Sequence, residues 1–183
     1  MDNNRYFMVL YNNRVIVTCG WCKTDLRRNY PEEEIPTGKK CIAMEIKTFE
    51  TEASTDSLDS VTAFIDEQLE DAGCPMKTQM QIELAVEEIF VNIANYAYAP
   101  GTGKAIIQMS VTGEPPVAEI TFIDSGVQYD PLAKEDPDIT LPASERSIGG
   151  LGIFLTKKTM DELSYEFRGG KNIFSMKKSL GGE

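Results

Sequence analysis

The chain has 183 residues, a length that suits one domain with at most a small appendage. Its formal net charge of -11 at pH 7 repels nucleic acid and anionic lipid surfaces, so we expect neither as a partner. The sequence contains no histidine, which excludes Ser-His-Asp and Cys-His catalysis, histidine-ligated zinc and phosphohistidine chemistry. Any general base must then be a carboxylate, Lys, Tyr or Cys.

The first 40 residues differ from the rest. Residues 15–17 fit a strand, but Asn, Arg, Pro and Glu dominate around them, and residues 29–38 indicate an extended linker. We therefore expect an N-terminal arm over 1–40 and a domain over 41–183. Residues 1–6 lack the pattern of a signal peptide and no apolar run is long enough for a bilayer, so we expect a cytoplasmic protein.

A C-x-x-C pair, Cys19 and Cys22, lies in this arm. A zinc site needs four ligands, and Cys41 supplies only a third nearby. A redox pair would need a thioredoxin-like βαβ context, which the pattern lacks. We favour incidental cysteines in a hairpin or arm and keep metal binding as the alternative.

From residue 41 onward, periodicity and turn residues predict a regular order of elements. These are a strand over 41–49, a helix from 57 to Gly73, a long helix over 77–98, strands over 104–111 and 117–123, an irregular segment over 125–147, a helix over 149–163, and a hairpin of 163–167 with 172–178. The partial segregation of helices and strands favours an α+β fold, a two-layer sandwich with a mixed, mostly antiparallel sheet.

The long helix has an unusual distribution of side chains. At 3.6 residues per turn, a polar stripe that includes Glu88 and Asn92 separates two apolar groups. The larger group, which we expect to face the core, is Ile82, Val86, Ile89, Phe90, Ile93 and Ala97, and the smaller is Met80, Leu84, Val91 and Tyr98.

Glu88 and Asn92 are spaced i, i+4 and therefore project side by side. Between apolar groups they suit a pocket wall, with Glu88 as a general base and the amide oxygen of Asn92 as a ligand for Mg²⁺. The alternative is that both are ordinary exposed helix residues, because E-x-x-x-N alone is a common pattern.

Two glycine-containing segments support the pocket. Asp124 and Gly126 follow a predicted strand, where they offer a fixed acceptor beside a closely approachable backbone. Gly149, Gly150 and Gly152 open the next helix, where backbone N–H groups without intrahelical partners can bind phosphate. Helix, strand end and glycine-opened helix each supply a different part of a nucleotide site.

These segments resemble the motifs of the GHKL ATPase/kinase superfamily over about residues 41–180. Glu88-x-x-x-Asn92 looks like the N box, Asp124-x-Gly126 the G1 box and Gly150-x-Gly152 the G2 box. The segment from Ile123 to Ile153 is similar to the RsbW/SpoIIAB-type branch, the anti-sigma-factor serine/threonine-protein kinases.

The resemblance implies a Bergerat-type sandwich that binds ATP and Mg²⁺. Asp124 would accept the adenine amino group beside Gly126, Asn92 would coordinate Mg²⁺, Glu88 would act as general base, and residues 127–148 would form a lid. Gly150 and Gly152 would contact phosphate and Gly149 would add flexibility. The implied partners are a sigma factor and an anti-anti-sigma (STAS-type) protein, and the implied assembly is a homodimer.

Two positions bear on how far the resemblance extends. Relatives often have His four residues after the N-box Asn, where this chain has Tyr96. A nucleotide-gated binding module with little phosphotransfer is therefore the alternative to a kinase. An ATPase machine or histidine kinase fits less well, because the chain is short for the extra domains. Arg146 is the one arginine of the lid segment and a candidate phosphate contact, or else a surface ion-pair residue.

Overall fold

The computed structural model describes residues 6–11, 14–19, 45–133 and 151–181, and the chain divides into two units, residues 1–46 and 47–183. In the first unit, strands β1 (Tyr6–Tyr11) and β2 (Arg14–Cys19) pair antiparallel, with Tyr6 opposite Cys19. The strand expected over 15–17 is therefore confirmed. The expected domain boundary at residue 40 lies outside the described residues and stays a prediction.

The second unit contains a five-stranded sheet in the order β3-β4-β5-β7-β6. Its strands are β3 (Lys47–Glu52), β4 (Lys104–Thr112), β5 (Val117–Asp124), β6 (Glu162–Arg168) and β7 (Lys171–Ser179). The α+β sandwich is confirmed. The four strand pairings of this sheet are all antiparallel, so the described residues contain no parallel pair of the kind expected in a mixed sheet. The strand expected over 41–49 lies further toward the C-terminus than predicted. Residues 45–46 are not part of a strand, and β3 runs from Lys47 to Glu52.

In the described residues, three α-helices accompany the sheet. They are α1 (Leu58–Asp71), α2 (Met76–Asn92) and α3 (Leu151–Thr159). Gly73 ends the first helical segment with a φ of 67°, a conformation that glycine adopts without steric cost. The helix that we expected to continue to residue 163 ends at Thr159, because β6 begins at Glu162.

The long helix changes geometry at its end. Residues Ile93–Ala97 form a π-helical turn directly after α2. Single π-turns of this kind occur frequently at functional sites, because the wider turn re-aims the side chains that follow it. The expected helix over 77–98 is thus present, in two parts.

The core lies between the helices and one face of the sheet. Strand residues alternate between buried and half-buried along β4, β5 and β7, and Ile82, Val86 and Phe90 of α2 are fully buried against them. The smaller apolar group of α2 is only partly covered, because Val91 and Tyr98 are half-buried whereas Met80 is 63% exposed and Leu84 is 38% exposed. A helix on a two-layer sandwich buries only the stripe that faces the sheet, and no described element covers its outer side.

No helix in the described part of the chain is long and apolar enough to cross a membrane.

Candidate functional site

A cavity of about 200 Å³ opens between the C-terminal end of α2 and the buried face of the sheet. Most of its wall is apolar or aromatic, and Asn92, Asp124 and Asn172 bring polar side chains to it from three different elements, α2, β5 and β7. The other lining residues are Ile89, Ile93, Tyr96, Ala97, Val127, Gln128, Tyr129, Pro131, Ile153, Tyr165 and Phe174. An apolar hollow with a few converging polar groups is the usual form of a small-molecule site.

Asp124 forms the polar floor of this cavity. It is the last residue of β5 and only 6% exposed. Its Oδ1 accepts hydrogen bonds from the Gly126 N–H at 2.9 Å and from Asn172 Nδ2 at 2.8 Å. Among the described residues none donates to Oδ2, so this oxygen is available to a ligand that can donate a hydrogen bond.

Asn172 is a cavity-lining residue that the sequence patterns did not identify. It begins the buried face of β7, directly opposite Asp124 in the antiparallel pair, and is 6% exposed. Its Nδ2 also donates to the Val127 carbonyl at 3.1 Å, and its Oδ1 accepts from the Tyr129 N–H at 3.2 Å and the Tyr165 hydroxyl at 2.7 Å. The sequence signal was an asparagine at a core-facing position, in step with Phe174 and Met176.

The Tyr165 hydroxyl keeps its proton over the physiological range. Burial raises the pKa of Tyr165, and the neighbouring Asp130 and Asp124 carboxylates raise it further, against an opposing contribution from the Tyr129 N–H. The hydroxyl therefore remains a donor to Asn172 at neutral pH.

Asn92 and Glu88 are one turn apart on α2, as expected. The Asn92 Nδ2 donates to the Glu88 backbone carbonyl at 2.8 Å, which fixes the amide and leaves Oδ1 without a bond to any described residue. Glu88 is half-buried rather than enclosed. The structure therefore brings Asn92 and Asp124 to one cavity, and Glu88 lies one helical turn before Asn92 in α2.

Gly152 lies directly against Glu88. A Cβ built on Gly152 would overlap the Glu88 carboxylate, so the carboxylate can take this position only because residue 152 has no side chain. This contact joins the expected base to the start of α3. Of the other residues expected near that start, Gly149, Gly150 and Arg146 lie outside the described residues.

Gly126 serves a comparable purpose beside Asp124. A Cβ at this position would overlap the backbone carbonyl of Ala97, and the Val127 N–H donates to that same carbonyl at 2.7 Å. The loop after β5 is thus fastened to the π-turn that follows α2. Tyr96, which occupies the place of the usual histidine, is 70% exposed at the mouth of the cavity.

The fold, in which α2 and the end of β5 meet at one cavity, defines a histidine kinase-like ATPase domain. Residues 51–178 match the family described as "Histidine kinase-like ATPase domain", and the chain belongs to that family. It is 27% identical over 100 residues to "Serine/threonine-protein kinase BtrW" of Bordetella bronchiseptica, an alignment that spans 55% of this chain and 70% of the relative.

A solved structure shares the fold. The structure of the RsbU and RsbW domains of Rv1364c from Mycobacterium tuberculosis superposes with a TM-score of 0.54 at 15% identity. The superposition covers 75% of this chain and 33% of that one, so the present chain corresponds to about a third of that longer protein.

Proposed function

We propose that the protein is an ATP-dependent serine/threonine-protein kinase that acts as an anti-sigma factor and phosphorylates an anti-anti-sigma (STAS-type) partner. The observation that carries the proposal is that one helix brings Asn92 to a cavity floored by Asp124 and, one turn away, holds Glu88 against Gly152. The match to an ATPase family and the similarity to a serine/threonine kinase point the same way.

The adenine base fits the cavity of about 200 Å³. That volume lies below the roughly 300–1,000 Å³ that encloses a drug-sized ligand, so it holds a base rather than a whole nucleotide. The free Oδ2 of Asp124 would accept the exocyclic amino group, and the apolar walls would pack on the ring. Gly126 keeps the loop close enough to the floor for this contact.

The phosphates would extend from the cavity toward Asn92 and the start of α3. The free Oδ1 of Asn92 is a hard oxygen donor of the kind that Mg²⁺ prefers, and the bound ion would neutralise phosphate charge. Gly149, Gly150, Gly152 and Arg146 remain candidate phosphate contacts. Helix-start N–H groups are especially useful here, because no Lys or Arg is among the described residues that line the cavity.

Glu88 would act as the general base. In this step a carboxylate oxygen of Glu88 takes the proton of the partner's Ser or Thr hydroxyl, whose oxygen forms a bond to the γ-phosphorus as the bond to the β-phosphate oxygen breaks. Gly152 supports the step by leaving room for the carboxylate. Phosphoryl transfer depends mainly on positioning and charge stabilisation, which suits a site built on two packed helices.

The wider setting of this activity is also proposed. The partners would be a sigma factor and a STAS-domain protein, the active assembly a homodimer and the location the cytoplasm. Nucleic acid is not expected to bind, since the net charge is -11.

A second function, a nucleotide-gated binding module with little phosphotransfer, is favoured by one observation. Tyr96 takes the place of the histidine common in relatives and is 70% exposed. If that histidine assists the transfer step, this chain would bind ATP and a partner protein but transfer phosphate slowly.

The two functions are separated by incubating the protein with labelled ATP, Mg²⁺ and a STAS-domain protein from the same organism. Glu88→Gln removes the proposed base, and Glu87→Gln is the matched control, because Glu87 is an exposed neighbour on the same helix. We expect label on the partner with the wild type and Glu87→Gln, and a loss of about a hundredfold with Glu88→Gln.

ATP affinity is measured in parallel for all three proteins. Binding without transfer by the wild type would favour the binding module over the kinase. Absence of ATP binding in the presence of Mg²⁺ would contradict both functions.

A further inference from the structure

The geometry points to Asn172, held by Tyr165, as the positioning residue that makes the cavity selective for adenine over guanine. This inference rests on the proposed nucleotide binding and adds the origin of base specificity. It starts from the hydrogen bonds of one buried amide, all four of which are within the described residues.

The orientation of the Asn172 amide is fixed by its neighbours. The Asp124 carboxylate and the Val127 carbonyl can only accept, so they face Nδ2, and the Tyr129 N–H can only donate, so it faces Oδ1. A flipped amide would lose all three bonds. Unlike many surface amides, this one therefore has a single assignment.

The saturated amide leaves the cavity floor with acceptor capacity alone. Both Nδ2 hydrogens and both Oδ1 lone pairs of Asn172 are used, and Asp124 Oδ1 already accepts two bonds. Among the described residues, the strong polar atom left at the floor is Asp124 Oδ2. A ligand there must donate a hydrogen bond, because the two described donors that contact the carboxylate, the Gly126 N–H and Asn172 Nδ2, are already bonded to Oδ1.

When ring position 6 faces Asp124, adenine meets this requirement and guanine does not. The 6-amino group of adenine donates, whereas guanine carries a carbonyl oxygen at the same ring position. That oxygen would face the carboxylate with no donor to satisfy it, and a site built around one hydrogen-bond polarity rejects the opposite one strongly. Asn172 thus acts through Asp124 rather than by touching the base.

Tyr165 orients the amide from the edge of the sheet. Its hydroxyl donates to Asn172 Oδ1 at 2.7 Å from β6, the strand at the edge of the sheet. The link connects the base site to the β6–β7 hairpin, so a change in that hairpin reaches Asp124 through two hydrogen bonds.

The test compares dissociation constants for ATP and GTP, with Mg²⁺, in the full chain. Asn172→Asp keeps the acceptor atoms but replaces both donor hydrogens by a carboxylate oxygen facing Asp124. We expect ATP affinity to fall about tenfold at pH 7.5 while the weaker GTP affinity changes little, so that the preference for ATP falls with it. Ser175→Ala, on the opposite face of the same strand, is the control and should keep the wild-type preference.

A pH series distinguishes positioning from general destabilisation. In Asn172→Asp, a proton shared between the two carboxyl groups can replace the lost amide hydrogen, so ATP affinity should recover toward about pH 5. The wild type and Ser175→Ala should show no such recovery. A merely structural lesion would not be repaired by acid.

Tyr165→Phe provides a second variant in case Asn172→Asp does not fold. It removes one anchor of the amide, and we expect the preference for ATP over GTP to fall about threefold. The inference would be overturned if the folded Asn172→Asp variant kept the wild-type preference for ATP over GTP. If that variant does not fold, the same result with Tyr165→Phe would overturn it. If the wild type bound ATP and GTP equally well, this inference would fail while the proposed function would stand. If the wild type did not bind ATP at all, the proposed function would fail as well.

Discussion

The contact between Glu88 and Gly152 couples the start of α3 to the proposed base. A Cβ at residue 152 would overlap the Glu88 carboxylate. Any side chain at this position would therefore have to displace that carboxylate, whatever part the glycine also takes in binding phosphate.

We predict that Gly152→Ala lowers phosphotransfer about ten- to a hundredfold, because the added methyl displaces the Glu88 carboxylate from its position. The free energy of unfolding should stay within about 1 kcal/mol of the wild type, since Glu88 is a half-buried side chain that can move and alanine is the better helix former. Phosphotransfer assays and urea unfolding of the same protein measure the two effects.

A double variant isolates the cause. In the Glu88→Ala background no carboxylate is left to displace, so adding Gly152→Ala should leave the residual phosphotransfer unchanged. An equal further loss of phosphotransfer in both backgrounds would contradict displacement of Glu88 as the cause.

At the scale of elements, Tyr98 fastens three segments around the cavity. It follows the π-turn, its hydroxyl donates to the Lys104 carbonyl at 2.6 Å at the start of β4, and it accepts from the Ser125 N–H at 2.8 Å just after Asp124. Its ring also fills the space beside Gly103, where a Cβ would overlap it. The end of the helix bearing Asn92 and the loop after Asp124 therefore share one anchor.

Removing the Tyr98 hydroxyl should loosen this junction. Tyr98→Phe removes both hydrogen bonds, and because water can reach the exposed Ser125 N–H and Lys104 carbonyl we expect a loss of about 0.5–1.5 kcal/mol in stability together with weaker ATP binding. Tyr96→Phe is the matched control, since that side chain is 70% exposed and should tolerate the same change. Equal stability of the two variants by urea unfolding would contradict the anchoring role.

Asp161 joins the start of β6 to the end of β7. Its carboxylate accepts from Lys178 Nζ at 2.9 Å and from the Ser179 N–H at 2.6 Å. Burial opposes ionisation, but the Ser179 hydrogen bond and Lys178 together outweigh it, so the pKa of Asp161 is lowered. The ionised form is thus stabilised in the folded state.

The lowered pKa predicts an acid-dependent contribution to stability. It is fully present above the unfolded-state pKa of about 3.9 and is lost as the pH falls through the lower folded-state value. The Asp161 side chain is 45% exposed, so solvent screening limits the effect. Asp161→Asn should cost roughly 0.5–1 kcal/mol at pH 7.

Urea unfolding at several pH values checks the sign. The difference between wild type and Asp161→Asn should shrink below about pH 4. Glu114→Gln, in the exposed turn between β4 and β5, serves as the control and should show no such convergence. A difference that persists unchanged in acid would contradict the assignment.

At the scale of the whole molecule, the ATPase-family region and every site residue described above lie in the second unit of the chain. We predict that a fragment of residues 41–183 folds alone and binds ATP within about twofold of the full chain, as expected of a domain with its own core. Circular dichroism and ATP titration of the fragment test this. A fragment that fails to fold would contradict the arm over 1–40 as dispensable.

Much of this architecture could be predicted from local patterns. Helical periodicity identified α1 and α2, and glycine at 73 and the Gly169–Gly170 turn marked where elements end, because these signals depend only on near neighbours in sequence. Glu88 and Asn92 were recognised from their spacing on one helix. Asp124 and Gly126 were recognised from their place at a strand end.

The sequence by itself determined the fold class, the order of elements and the residue types available to the site, since periodicity and turn chemistry are local properties. Tertiary structure alone decided that Met80 and Leu84 remain exposed, because periodicity shows which side chains share a face and not whether that face is covered. It alone also brought Asn172 opposite Asp124 and Gly152 against Glu88. Those contacts depend on strand order and helix packing between residues distant in sequence, which no local pattern specifies.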